Sequence, residues 1–157
     1  MPSTDYYMNF AKAARLASKD RSRRVGAIIV GPQGELRSSG YNGFPRRVDD
    51  NVDTRHERPA KYLWTEHSER NAIYQAARSG ISVEGCTMYT WAEQGSVGGL
   101  GVCADCARAI IQSGIVAVYL QAPDGGMAAQ WSESIEVGSV MLAEANVVVR
   151  LVPDSTE

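Results

Sequence analysis

Apolar positions follow two rhythms along the chain, and the rhythm changes at glycines and prolines. Across residues 6–18 they fall at Tyr7, Met8, Ala11, Ala14, Leu16 and Ala17, a helical spacing with Asp5 or Thr4 placed to cap its start. Residues 25–30 form a short β-branched run that stops at Gly31-Pro32. Turn residues Pro32-Gln33-Gly34 separate it from residues 35–41, so the two runs predict a hairpin. Helical spacing returns over residues 63–78, with Ala72, Ile73, Ala76 and Ala77 on the apolar side and Gly80 beyond the end. Strands are predicted at 87–91, 116–120 and 147–152, and helices at 103–112 and 132–145. Past the hairpin, strands and helices alternate. This order predicts an α/β fold, a three-layer α/β/α sandwich around a mixed sheet of about five strands.

The 157 residues fit a single domain spanning 1–157, with neither a repeat nor a long linker. A hydrophobic share of 44 % and a charged share of 22 % are ordinary for a globular protein and exclude a disordered or fibrous chain. The net charge of −2 argues against a stable nucleic-acid partner. With no membrane-length apolar run and no leader-like start, the expected location is the cytoplasm. Residues 42–60 hold prolines, glycines, Asp and Arg in a long irregular loop, the kind of segment that carries function.

Three cysteines, Cys86, Cys103 and Cys106, make a poor disulfide framework. Cys103 and Cys106 open one predicted helix, and His67 and Glu69 open another. One α-β-α unit joins them, so both helix starts are expected at the same sheet edge. Two sulfurs and one imidazole give three zinc ligands and leave the fourth tetrahedral position to water, the arrangement of catalytic rather than structural zinc. Zinc lowers the pKa of bound water from 15.7 to about 7, and Glu69 is placed to move the proton. A Cys-x-x-Cys redox pair is the competing explanation, but it leaves His67 and Glu69 without a role. Cys86, ahead of a strand, reads as a buried small hydrophobe.

His67-Ser68-Glu69 followed by Val102-Cys103-Ala104-Asp105-Cys106 resembles the H-x-E…P-C-x-x-C signature of zinc-dependent nucleotide deaminases. Ser18-Lys19-Asp20, Val25-Gly26-Ala27, Gly40-Tyr41-Asn42-Gly43-Phe44-Pro45-Arg46 and Glu69-Arg70-Asn71-Ala72-Ile73 are similar to the deoxycytidylate (dCMP) deaminase branch. The resemblance implies a cytidine deaminase-like fold and hydrolytic deamination of a pyrimidine deoxynucleotide, dCMP to dUMP plus ammonia. It implies one catalytic Zn²⁺ per chain on His67, Cys103 and Cys106, a zinc-bound hydroxide as nucleophile and Glu69 as proton shuttle. It further implies substrate contacts from Asn42, Arg24, Arg46, Ser68 and Trp131, and homo-oligomers, often hexamers.

The chain departs from the pattern in three places. Ser68 stands where the family usually has Ala, and Val102 replaces a Pro. Residues 92–101 are longer and richer in glycine than the usual connection, suggesting a mobile flap. That flap leaves other substrates open, namely modified dCMP, dCTP or guanine, whereas adenosine in tRNA, whose deaminases share the metal spacing, is expected to need more basic surface than the net charge of −2 offers. A zinc-stapled binding domain without activity is the non-enzymatic alternative. Glu66 and His56 lack a spare cysteine nearby for a second zinc.

Overall fold

The structure is a computed structural model, describing residues 1–93, 101–122 and 132–153. Helix α1 (Thr4–Ala14) starts earlier than the pattern implies, because Ser3 is the N-cap and its Oγ accepts from the Tyr6 N–H at 3.2 Å. Strands β1 (Val25–Val30) and β2 (Leu36–Tyr41) form the expected antiparallel hairpin. Strand β3 (Thr87–Ala92) pairs antiparallel with the other side of β1. Strands β4 (Ala117–Gln121) and β5 (Val148–Val152) then extend the sheet in parallel. The order β2-β1-β3-β4-β5 makes a mixed five-stranded sheet.

Side-chain alternation along the strands divides the core in two. Ala27, Ile29, Met88, Val118 and Leu120 pack with Ala72 and Ala76 of α3 (Ser68–Arg78), Ala107 and Ile110 of α4 (Ala104–Gln112) and Leu142 of α5 (Ser132–Glu144). Ile28, Val30, Tyr89 and Trp91 pack on the opposite face with Tyr7, Met8 and Ala11 of α1. The sheet therefore lies between three helices and one, which is the predicted sandwich. Residues 27–30 of β1 are buried on both faces, and this is why the strand reads as an unbroken apolar run. Cys86 lies wholly inside the core, as expected.

The register fixes where a site can form. Gly26 pairs with Tyr41 and Val25 with Ala92, so the C-terminal ends of β2 and β3 share an edge with the start of β1. Helices α3 and α4 begin at that same edge, where α/β sheets commonly bind ligands. No helix among the described residues is long and apolar enough to cross a membrane.

Candidate metal centre and active site

The helical pattern predicted over 63–78 is broken in the structure. The single turn α2 (Lys61–Trp64) ends before Thr65, and α3 starts at Ser68. Gly43 and Glu66 exchange backbone hydrogen bonds of 3.1 and 2.8 Å, which draws the intervening chain into an extended path. His67 is thereby left as the N-cap of α3 with extended backbone. The helix lies very close to β2: a Cβ on Gly40 would come within 2.4 Å of the Ala72 nitrogen and 2.5 Å of the Ser68 carbonyl oxygen. Only glycine permits that approach.

At the start of α4, Cys103 is the N-cap and its Sγ accepts from the Cys106 N–H at 3.5 Å. The Ala104 N–H donates to Ser134 Oγ of α5 at 2.9 Å. A Cβ on Gly138 would sit 2.3 Å from the Val102 carbonyl oxygen, so α5 presses its own backbone against the cysteine turn.

These two helix starts bring His67 Nδ1 to 3.4 Å from Cys103 Sγ and 3.4 Å from Cys106 Sγ. All three donor atoms lie within 4.8 Å of one another, and they form the one His/Cys/Asp/Glu cluster among the described residues able to hold a metal. A tetrahedral ion with Zn–N of about 2.0–2.1 Å and Zn–S of about 2.3 Å requires an N···S separation of about 3.5 Å. The observed spacing meets it. The soft sulfurs and borderline imidazole also suit zinc over calcium or magnesium.

The thiol of Cys106 holds Cys103 as a thiolate, its pKa brought down to about 4 against the opposing effect of burial, with His67 adding to the effect. Sharing with that thiolate, together with burial, pushes Cys106 up. Burial would lower the His67 pKa, but its contact with Cys103 and the charge of Glu69 raise it. Glu69 stands outside the cluster, yet its Oε2 lies 3.5 Å from Cys106 Sγ. A chain of charges ties the two helix starts together: Glu66 accepts from the His67 N–H at 2.9 Å and pairs with Arg70, Arg70 reaches Asp105 at 3.4 Å, and Asp105 pairs with Arg108.

Residues 1–122 match the family model for the cytidine and deoxycytidylate deaminase zinc-binding region. The chain belongs to this deaminase family. Among its relatives, an uncharacterized deaminase in the luxG 3′ region of Aliivibrio fischeri is 39 % identical over 136 residues, covering 87 % of this chain and 84 % of that protein. The human deoxycytidylate deaminase is 34 % identical over 116 residues, covering 71 % of this chain and 60 % of the human protein. The chain thus spans less than two thirds of the human enzyme's length. The dCMP deaminase of cyanophage S-TIM5, solved in complex with dCMP and dUMP, shares the fold with a TM-score of 0.70 at 24 % identity, over 94 % of this chain and 95 % of that one. Zinc is the cofactor of the family, and the donor set built by His67, Cys103 and Cys106 can hold it.

The other expected site residues are placed unevenly. Asn42 follows β2 at this edge, but its side chain serves the backbone: Oδ1 accepts from Ser18 Oγ and the Val25 N–H, both at 2.8 Å, and Nδ2 donates to the Arg23 carbonyl at 2.8 Å. Ser68 is buried beside Gly40, and its Oγ finds no partner among the described residues. Arg24 pairs with Glu93, and Arg46 donates to Gln75 Oε1 at 2.6 Å on an exposed face. Trp131 and residues 94–100 of the expected flap lie outside the described residues. His56 stacks on Phe44 with its Nε2 2.6 Å from the Asp50 carbonyl, while Glu66 is engaged with His67 and Arg70. The sequence reading gave Arg70 and Asp105 no role in the site, since neither stands out from an ordinary charged helix face.

Proposed function

We propose that the chain is a hydrolase that converts dCMP and water to dUMP and ammonia. The observation that carries this reading is Glu69, a carboxylate that is no member of the donor cluster yet reaches within 3.5 Å of one of its sulfurs. A zinc-stapled binding module has no need of an acid there; hydrolysis of an amidine-like C–NH₂ centre does. Zinc, when bound, supplies an activated water. Glu69 would accept one proton from the water and pass it to the ring nitrogen, then carry the remaining hydroxyl proton to the amine, so that C–O forms, C–N breaks and ammonia leaves. Asn42 fixes the rim on which the sugar rests, through its three contacts with Ser18, Arg23 and Val25.

The substrate assignment is supported by relatives named deoxycytidylate deaminase and by a structural neighbour solved with dCMP and dUMP. The same reading makes the chain a cytoplasmic homo-oligomer, a hexamer by resemblance, with exposed Leu63, Val137, Val140 and Leu151 as apolar surface for it.

The test is ammonia release from dCMP, dCTP, CMP, 5-substituted dCMP and guanine, with zinc measured on the same sample. Glu69→Gln is expected to keep one zinc per chain and lose roughly 10²–10⁴-fold in turnover. A parent protein that holds zinc but releases no ammonia from any of these would overturn the reading.

A further inference from the structure

Residues 43–66 close on themselves. Gly43 and Glu66 bond to each other at the two ends. Between them His56 stacks on Phe44 with ring centroids 4.6 Å apart, Phe44 lies 6.2 Å from Trp64, and the Arg55 guanidinium sits 4.1 Å from the centre of the Trp64 ring. Ends together and side chains packed on one another is the build of an Ω loop, here a long one. Among the described residues, none of this stretch joins either apolar core, and its one buried residue is a lysine, Lys61.

Charge attaches the stretch to the body of the molecule. Three consecutive residues of the α1–β1 connection hold it: Lys19 meets Asp50 at 3.1 Å, Asp20 meets Lys61 at 2.9 Å, and Arg21 meets Asp53 at 2.9 Å. Arg46 adds a bond to Gln75 of α3. The three pairs are unequal. The outer two are open to water, where screening leaves an ion pair little worth. The side chains of Asp20 and Lys61 are only 4 % and 11 % exposed, so losing one partner strands the charge of the other. Asp20 also accepts from the N–H groups of Ser22 and Arg23 at 2.8 and 2.9 Å, which keeps it in place when the lysine leaves. A segment closed at its ends, without apolar anchorage and pinned by one buried pair, can open while the core stays folded.

We propose that residues 43–66 are a strap at the metal-holding edge that opens as one body about the Gly43–Glu66 bridge, with the Asp20–Lys61 pair as its latch. Asn42 and His67 lie immediately outside that hinge, so opening uncovers the edge while the donor side chains keep their places. The latch then governs arrival and departure at the edge, and the two outer pairs guide the strap back. The inference stands on the donor cluster and does not require the proposed reaction.

The experiment is native-state hydrogen exchange on the full chain, with and without zinc, in low concentrations of denaturant. It compares the hydrogen-bonded amides of Lys61, Leu63 and Thr65 with those of β1 and β3. The three amides are expected to share one opening and to exchange well before the strands. Lys61→Met should speed their exchange roughly 100-fold, the range of a stranded buried charge, and Asp20→Asn comparably. The double variant should be no worse than either single one, as expected of partners in one pair. Lys19→Met and Arg21→Met should each change the exchange less than about fivefold. A latch sets a rate, so Lys61→Met should also release zinc to a chelator faster with its equilibrium affinity unchanged. Amides that open separately, or only together with the strands, overturn the inference. So does a Lys61→Met protein that exchanges like Lys19→Met, or one whose zinc affinity falls as far as its release rate climbs. Where Lys61→Met does not fold, Asp20→Asn decides by the same criteria.

Discussion

The starts of α3 and α4 both place a side chain of the metal-donor cluster at the N-cap, His67 in one and Cys103 in the other, but polar ties weigh more in the first than in the second. The first adds to its close contact with Gly40 a set of polar ties: the Gly43–Glu66 bridge, the bond from Glu66 to the His67 N–H, and the Arg70 ion pairs. The second is fixed by contact, with the backbone of α5 laid on the cysteine turn at Gly138 and a single hydroxyl from Ser134 beneath it. A charged tie tolerates small displacements, whereas a close-packed one does not. Substitution of the polar ties on the histidine side should therefore act gradually, and crowding of the contact at Gly138 on the cysteine side abruptly.

Removing a ligand sets the upper bound. Cys103→Ser is expected to lower zinc affinity by more than the roughly 10- to 100-fold of an outer contact, read by chelator competition. Gly138→Ala tests the contact side: the added methyl meets the Val102 carbonyl, and the protein should lose about 1–3 kcal/mol in denaturant unfolding together with zinc affinity. A neutral result would mean that α5 can retreat and that contact is not what holds Cys103. Arg70→Met tests the polar side, with about a tenfold loss of zinc affinity and a smaller change in stability; Arg70→Lys should restore part of it. If Arg70→Met proves worse than Gly138→Ala, the two sides have been assigned the wrong way round. Ser134→Ala, which deletes one hydrogen bond at the Ala104 N–H, should cost only about 0.5–1.5 kcal/mol.

Much of this was readable along the chain because it is local. The strand runs, the hairpin turn and the spacing of His67, Glu69, Cys103 and Cys106 are set within a few residues, and the structure joins the four side chains as the spacing implies. The interruption between Trp64 and Ser68 was not readable, because it is caused by pairing with Gly43, more than twenty positions upstream. The order of strands is of the same kind, a product of long-range pairing rather than of any segment's pattern. Among the arginines the sequence offers no way to choose. Arg23 and Arg24 are adjacent and chemically identical, and only the loop geometry gives Glu93 to one and leaves the Nε of the other without an acceptor among the described residues. Asn42 is expected at the substrate, and its three side-chain contacts, with Ser18, Val25 and Arg23, add a scaffold role that depends on where residues 18–25 come to rest.

The region that identifies the family ends at residue 122, but the wall behind Cys103 is built from α5, which begins ten residues later. Trimming the molecule to its diagnostic core would thus leave every ligand in the polypeptide while removing the buttress that aims one of them. Homologues engineered or classified by motif alone can carry a complete signature and still have a loosened metal centre.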